Sequence, residues 1–158
     1  MNEETNWLYH DHLDLEDLLD DCGAAARRGD WPVTTRLYSR LLDRLKGHMR
    51  IEEEVLFPAY EQMPGAPSEP TASLRNDHDA MVRWCRDLHF GIQGQDAGGF
   101  LGALKSLKAL LARHDEKEEH LFLPMAGHAL LGQREEILSR LKALDWKEGA
   151  ATTRNWDF

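Results

Sequence analysis

Hydrophobic side chains recur at intervals of three and four residues along most of the chain. One run contains Leu8, Leu15 and Leu19, and another contains Leu41 and Leu45. This spacing is typical of amphipathic helices, because residues three and four apart lie on the same face of a helix. Neither the alternation that is typical of strands nor a long run of β-branched residues occurs in the sequence. The pattern therefore predicts an all-α protein.

Glycine and proline residues mark the ends of the predicted helices. Gly29 ends the first helix, and Asp30 and Pro32 begin the second as an N-cap acid and an early helical proline. The segment 64–70 contains three prolines and a glycine, so it cannot continue a helix and divides the chain into two helical hairpins. We expect helices over about residues 6–28, 30–63 and 71–92, from a turn at 94–99 to about 123, and a shorter fifth over about 133–144.

The length and the cysteine content limit the kind of protein. At 158 residues the chain fits one domain with a core of its own. We expect residues 1–145 to form one helical bundle and residues 146–158 to form a tail that packs against it. The two cysteines, Cys22 and Cys85, suggest neither a disulfide framework nor a cysteine-rich zinc site. We interpret both as structural thiols and expect a cytoplasmic protein.

Charge and hydropathy argue against two classes of partner. The formal net charge is −9, with acidic and basic residues interspersed, whereas binding to the phosphate backbone of a nucleic acid needs a basic face. No apolar run approaches the roughly 18 residues that a membrane-spanning helix requires. We therefore expect neither a nucleic acid nor a membrane as partner.

The sequence contains an internal repeat. A shift of 66 residues places the first half of the chain on the second and aligns its most distinctive features. Each half then carries one histidine and, further along, one His-x-x-x-Glu element. The aligned pairs are Asp11 with Asp77, His12 with His78, His48 with His114, Glu52 with Glu118, and Pro58 with Pro124.

The His-x-x-x-Glu spacing directs both side chains to the same face of a helix. Four residues advance an α-helix by about 400°, which leaves the two side chains about 40° apart and one turn along the axis. Glu52 and Glu118 then continue the apolar stripes of their helices and face the core. The neighbouring Glu53, Glu54 and Glu119 are rotated away from that direction, and we expect them to be solvated.

Six polar side chains are thus predicted to converge in the interior of the bundle. An unpartnered buried charge is costly, and two carboxylates repel each other. A pair of bound cations would give each imidazole and carboxylate a partner, as in metal sites between the helices of a bundle. The candidate metal ligands are His12, His48, Glu52, His78, His114 and Glu118.

Two acidic residues directly precede candidate ligands. Asp11 precedes His12, and Asp77 precedes His78. Metal-bound imidazoles usually donate their second ring N–H to a carboxylate or a carbonyl, so either acid suits that role. A place on the helix surface is the alternative interpretation.

These motifs resemble the helix signatures of hemerythrin-like (HHE) cation-binding domains. The resemblance covers about residues 6–126 and is clearest in His48-Met-Arg-Ile-Glu52 and His114-Asp-Glu-Lys-Glu118, each followed by a proline six residues after the glutamate. It implies an up-and-down four-helix bundle that holds two iron ions with an oxo or hydroxo bridge. Zinc and manganese are alternative metals, because imidazole and carboxylate suit them too.

The resemblance also implies a role for each candidate ligand. His12 and His48 would bind one iron, His78 and His114 would bind the other, and the two glutamates would bridge them. Each iron then has four protein ligands, and a solvent-derived bridge makes five. An octahedral ion keeps one position open for a small ligand.

One position distinguishes this chain from the oxygen-carrying hemerythrins. They resemble this pattern but place a further histidine one turn before the third-helix ligand, where this chain has Leu74; its counterpart in the repeat is Leu8. The site therefore resembles the symmetric four-histidine, two-glutamate di-iron type. This implies a protein that binds or responds to oxygen, nitric oxide or peroxide, in iron handling or in nitrosative or oxidative stress. The alternatives are a di-iron enzyme of the nitric oxide reductase or peroxidase type, and a metal-stabilised interaction module.

Overall fold

The computed structural model describes the backbone of residues 3–126 and 154–158 and the side chains of residues 12–121 and 154–158. The described part is helical and contains no strand, which confirms the prediction of an all-α protein. None of its helices has the length and apolar content that a membrane crossing requires. The short helix expected over 133–144 and the boundary expected at 145 lie outside the described residues. The helices are α1 (Glu3–Arg27), α2 (Trp31–Ile51), the π-helical turn π1 (Glu52–Leu56), α3 (Phe57–Glu61), α4 (Glu69–Gln93) and α5 (Ala97–Ala126).

The long helices form a closed ring in which each packs mainly against two others. α1 packs against α2 and α5, and α4 packs against α5 and α2. α2, π1 and α3 follow one another without an intervening residue and form a single rod. The arrangement is the up-and-down four-helix bundle that the sequence predicts.

Short turns join α1 to α2 and α4 to α5. Gly29 has a φ of 69°, a left-handed conformation that glycine adopts without strain. Asp30 caps α2 by accepting a hydrogen bond from the N–H of Val33 at 3.3 Å. Its counterpart in the repeat, Asp96, accepts one from the N–H of Gly99 at 3.0 Å. The two capped turns hold the helices of each pair side by side.

Two apolar clusters fill the bundle and enclose a polar layer. The larger cluster includes Tyr38, Cys85 and Phe100. The smaller cluster, which includes Phe57 and Leu74, lies beyond the polar layer. Along the α2 rod and along α4 the candidate ligands fall between these two clusters. The apolar residues therefore remove the polar layer from water.

The last five residues pack against the larger cluster. Trp156 and Phe158 both contact it. The Nζ atom of Lys46 lies 5.3 Å from the centre of the Trp156 ring, and the Cζ atom of Arg86 lies 5.8 Å from that of Phe158, both distances typical of cation–π contacts. Residues 154–158 thus pack on the bundle, as expected of the tail; the rest of the tail lies outside the described residues.

Candidate metal centre

All six candidate ligands lie in one buried layer of the bundle. His12 is 7% exposed, and the other five are at most 1% exposed. Their ligand atoms form two groups, and within each group the atoms lie within 4.8 Å of one another. Both groups contain the two glutamates, so each pair of histidines reaches both carboxylates. The groups are His12, His48, Glu52 and Glu118, and Glu52, His78, His114 and Glu118.

Glu52 contacts histidines of both pairs through different oxygens. Its Oε2 atom lies 2.6 Å from Nε2 of His78 and 3.1 Å from Nε2 of His114. Its Oε1 atom contacts Nε2 of His48, one helical turn earlier on α2. A carboxylate that presents one oxygen to each pair has the arrangement that a bridging ligand requires.

Glu118 contacts the two pairs in the same way from the opposite side of the bundle. Its Oε1 atom contacts Nε2 of His114, and its Oε2 atom lies 3.3 Å from Nε2 of His12. Nε2 of His48 lies 4.0 Å from Oε1 of Glu118. All four imidazoles therefore direct Nε2 towards the carboxylates.

The π-helical turn π1 interrupts the rod of α2 and α3 at the site. The N–H of Phe57 donates to the carbonyl of Glu52, five residues earlier, whereas an α-helix uses the fourth. The sequence predicts one uninterrupted helix here, so this turn is a departure from the expectation. A turn with more residues places successive side chains at smaller angles, which brings Glu53 towards the interior together with Glu52. Single π-turns inside helices occur frequently at functional sites.

The expectation that Glu53 is solvated is therefore wrong. Its side chain is 15% exposed, and its Oε1 atom lies 2.7 Å from Nδ1 of His78. Arg154, from the C-terminal segment, contacts the same oxygen and also reaches Asp79 and the carbonyl of Arg75. The side chain of Glu54, in contrast, is 46% exposed and pairs with an arginine on its own helix.

Asp77 contacts a histidine ring, but not that of its neighbour in sequence. Its Oδ2 atom lies 3.2 Å from Nδ1 of His114 and 2.8 Å from Nζ of Lys117. Of the two interpretations that the sequence leaves open, the contact with a ligand ring therefore applies to Asp77. The side chain of Asp11 lies outside the described residues. Carboxylates at Nδ1 orient an imidazole so that Nε2 points into the site.

Within the layer, the electrostatics favour an ionised Glu52 beside positively charged rings of His78 and His114. Desolvation raises the pKa of Glu52, but the imidazoles of His48, His114 and His78 outweigh it, so the pKa lies well below its usual range. Burial lowers the pKa of His114, but Glu52 and Glu118 outweigh burial and hold this pKa well above its usual range. Protons on the rings are the partners that metal cations would replace.

A further carboxylate, which no pattern in the sequence singles out, reaches the layer from α5. The Oδ1 atom of Asp115 lies 3.2 Å from Nε2 of His12. Burial raises the pKa of Asp115 to about 7, and the His12 ring offsets this effect only in part. The residue is not repeated in the first half of the chain, where Met49 stands in its place, so the repeat gave no signal for it.

Several buried atoms of the layer make no hydrogen bond within the described part of the chain. They include both ring nitrogens of His12, Oε1 of Glu52, Oδ1 of Asp115 and both carboxylate oxygens of Glu118. Buried polar atoms are satisfied in the great majority of native structures, so a cluster of unsatisfied ones needs another partner. Nitrogen and oxygen donors facing one another at these distances fit divalent or trivalent cations.

A comparison with protein families agrees with this chemistry. The model of the hemerythrin HHE cation-binding domain matches residues 4–126. The chain belongs to this family. No match is found among curated proteins or among solved structures.

Membership of the hemerythrin HHE family establishes a cation-binding domain built as a helical bundle. The matched range ends with α5, and it contains the six candidate ligands together with Asp115.

The two cysteines of the HHE domain lie away from the polar layer, in the larger apolar cluster, and both are free thiols. This position fits the structural role expected for them.

Proposed function

We propose that this HHE domain holds two iron ions and binds or responds to oxygen, nitric oxide or peroxide. The observation that carries the proposal is the sharing of Glu52 and Glu118 by two groups of ligand atoms, each completed by a different pair of histidines. His12 and His48 would hold one ion, and His78 and His114 would hold the other. Bound iron would supply a redox-active Lewis acid with a coordination position for a small ligand.

The chain's own residues orient and enclose the site. Glu53 and Asp77 hold Nδ1 of His78 and His114, so that Nε2 of each ring faces the carboxylates. The Phe57 ring stacks on the His78 ring at 5.6 Å between centroids, with 21° between their planes. These contacts fix the rings before a metal binds, and the apolar clusters exclude bulk water.

A role other than reversible oxygen transport is supported by Leu74. This residue occupies the position where the oxygen carriers place a further histidine, and it is fully buried in the smaller apolar cluster. It offers no ligand atom. We therefore assign the domain to iron handling or to the response to nitrosative or oxidative stress.

The reaction of the reduced, iron-loaded protein with each small ligand tests this function. Anaerobic ferrous protein is mixed with nitric oxide, oxygen or hydrogen peroxide and followed by stopped-flow absorption. We expect a stoichiometric spectral change with at least one of the three. No change with any of them would contradict the proposal. Repeated turnover with an added electron donor would instead identify the enzymatic alternative.

A further inference from the structure

Like Glu118, Asp115 faces His12 at Nε2 without forming a hydrogen bond within the described residues. Its Oδ1 atom and Nε2 of His12 are 3.2 Å apart, yet both atoms lack a hydrogen-bond partner within the described residues. A ring N–H at that distance forms no hydrogen bond with an oxygen that lies off its axis. Two atoms placed in this way do not satisfy each other.

The carboxylates that orient histidine rings in this layer contact Nδ1, and not Nε2. Glu53 lies at Nδ1 of His78, and Asp77 lies at Nδ1 of His114. Nε2 of every histidine in the layer faces Glu52 or Glu118. Asp115 therefore lies on the side of His12 where a metal would bind, and not on the side where a supporting carboxylate lies.

The separation of the two atoms matches that of neighbouring ligands on one ion. Donors at roughly 2.1 Å from an octahedral ion, on adjacent positions, lie roughly 3 Å from each other. Nε2 of His12 is 3.2 Å from Asp115 Oδ1 and 3.3 Å from Glu118 Oε2. The distances from Nε2 of His12 to the Asp115 oxygen and to the Glu118 oxygen are therefore those expected between adjacent ligands of one ion.

We propose that Asp115 is a further metal ligand, which coordinates the ion held by His12 and His48 and leaves the position for a small ligand on the other ion. The inference rests on the proposed function. It makes the pair of ions unequal, with five protein ligands on the first and four on the second. The ion held by His78 and His114 has no equivalent of this ligand. In the repeat, Met49 occupies the position that corresponds to Asp115, and it is fully buried in the apolar core.

Asp115 also borders a cavity through which a small molecule could approach the site. A cavity of about 90 Å³ lies between α1 and α5 and ends at His12 and Asp115, with Leu15 and Leu111 in its walls. The Asp115 carboxylate lines this cavity beside His12, so a small molecule in the cavity would contact it. The residue therefore blocks coordination at this ion and directs the small ligand to the ion held by His78 and His114.

Azide binding to the ferric protein tests the proposal. Azide is a small anion that occupies open positions on ferric iron and produces a charge-transfer absorption band, so its stoichiometry counts those positions. We compare the wild type with Asp115→Ala and with Glu116→Ala, a matched control in which an exposed acid on the same helix is removed. We expect about one azide per chain for the wild type and the control, and about two for Asp115→Ala.

Iron content and Mössbauer spectra distinguish a failure of the proposed function from a failure of the proposal about Asp115. Wild-type protein that holds fewer than two irons contradicts the proposed function itself. Asp115→Ala supports the proposal if it binds a second azide or if it selectively loses one iron. Both results follow from the removal of a metal ligand. Asp115→Ala that matches the wild type in iron content and azide stoichiometry overturns it. If this variant does not fold, the wild-type spectrum decides: two iron environments of equal intensity support the proposal, and a single environment overturns it.

Discussion

At the scale of single residues, the ring nitrogen that a carboxylate contacts distinguishes its role. Glu53 and Asp77 contact Nδ1 and orient the rings of His78 and His114, whereas Glu52 contacts Nε2. The inward direction of Glu52 follows from the four-residue spacing alone. The role of Glu53 does not, because it depends on a π-turn that no local sequence pattern announces.

Replacing Glu53 tests the supporting role of these carboxylates. We expect Glu53→Ala to lower the affinity for iron by roughly 10- to 100-fold, because His78 loses the partner that orients its ring. Glu54→Ala is the matched control, since this neighbouring acid is exposed and pairs with Arg50 on the surface. Competition with a chelator measures both affinities. Equal affinities in the two variants would show that Glu53 does not support the site.

The two buried thiols give a prediction about reactivity and pH. Burial raises the pKa of Cys22 and of Cys85 to about 12, from an ordinary value of 9.0. The thiolate is the reactive form, so we expect alkylation at pH 8 to be far slower in the folded protein than in the denatured chain. Fast labelling of either residue in the native state, detected by mass spectrometry, would contradict this account.

The same shift determines how the thiols affect stability. Well below pH 9 both the folded and the unfolded chain carry neutral thiols, so the two cysteines contribute no pH dependence there. Between about pH 9 and pH 12 the unfolded chain ionises its thiols and the folded chain does not, so the free energy of unfolding falls as the pH rises. Cys22→Ala/Cys85→Ala should flatten this part of the profile in denaturant titrations.

At the scale of the elements, the close packing of α4 against α5 depends on a glycine. A Cβ atom added to Gly91 would lie 3.0 to 3.1 Å from the Cβ atom and backbone atoms of Phe100. The sequence marks the nearby turn by its glycines and by the capping Asp96. It does not mark Gly91 as a contact, since that role depends on where the two helices approach.

A pair of glycine substitutions tests this contact. We expect Gly91→Ala to lower the free energy of unfolding by about 1 to 3 kcal/mol, because the backbone of α5 must move. Gly102→Ala is the control: it lies in the same helix pair, has open space around it, and should raise stability by about 0.5 to 1 kcal/mol. Urea titrations measure both. A stabilised Gly91→Ala would contradict the described approach of α4 and α5.

At the scale of the whole molecule, the end of the chain is connected to the polar layer through Arg154. This residue contacts Glu53, which in turn contacts His78. The sequence predicts that the tail packs on the bundle. It does not predict the contact with Glu53, which joins residues 101 positions apart in the chain.

A double-mutant cycle measures this connection. We expect Arg154→Ala to weaken iron binding in the same direction as Glu53→Ala and by a smaller factor. If Arg154 acts through Glu53, Glu53→Ala/Arg154→Ala binds iron as weakly as Glu53→Ala alone. Additive losses of binding free energy would show instead that Arg154 affects the site by a separate route.

The repeat explains why so much of the site is predictable from the sequence. Each half supplies a histidine and a His-x-x-x-Glu element, and the bundle brings the halves together around two shared glutamates. Asp115, which interrupts the symmetry, has no counterpart to reveal it. The central claim is accordingly a two-ion site shared between the halves of the chain.

Iron content and Mössbauer spectroscopy of the protein isolated from its native source test that claim most directly. The account predicts about two irons per chain, with spectra of a spin-coupled pair, as expected of ions that share bridging carboxylates. Protein that retains at most one metal ion per chain, or two ions that show no coupling, would contradict it.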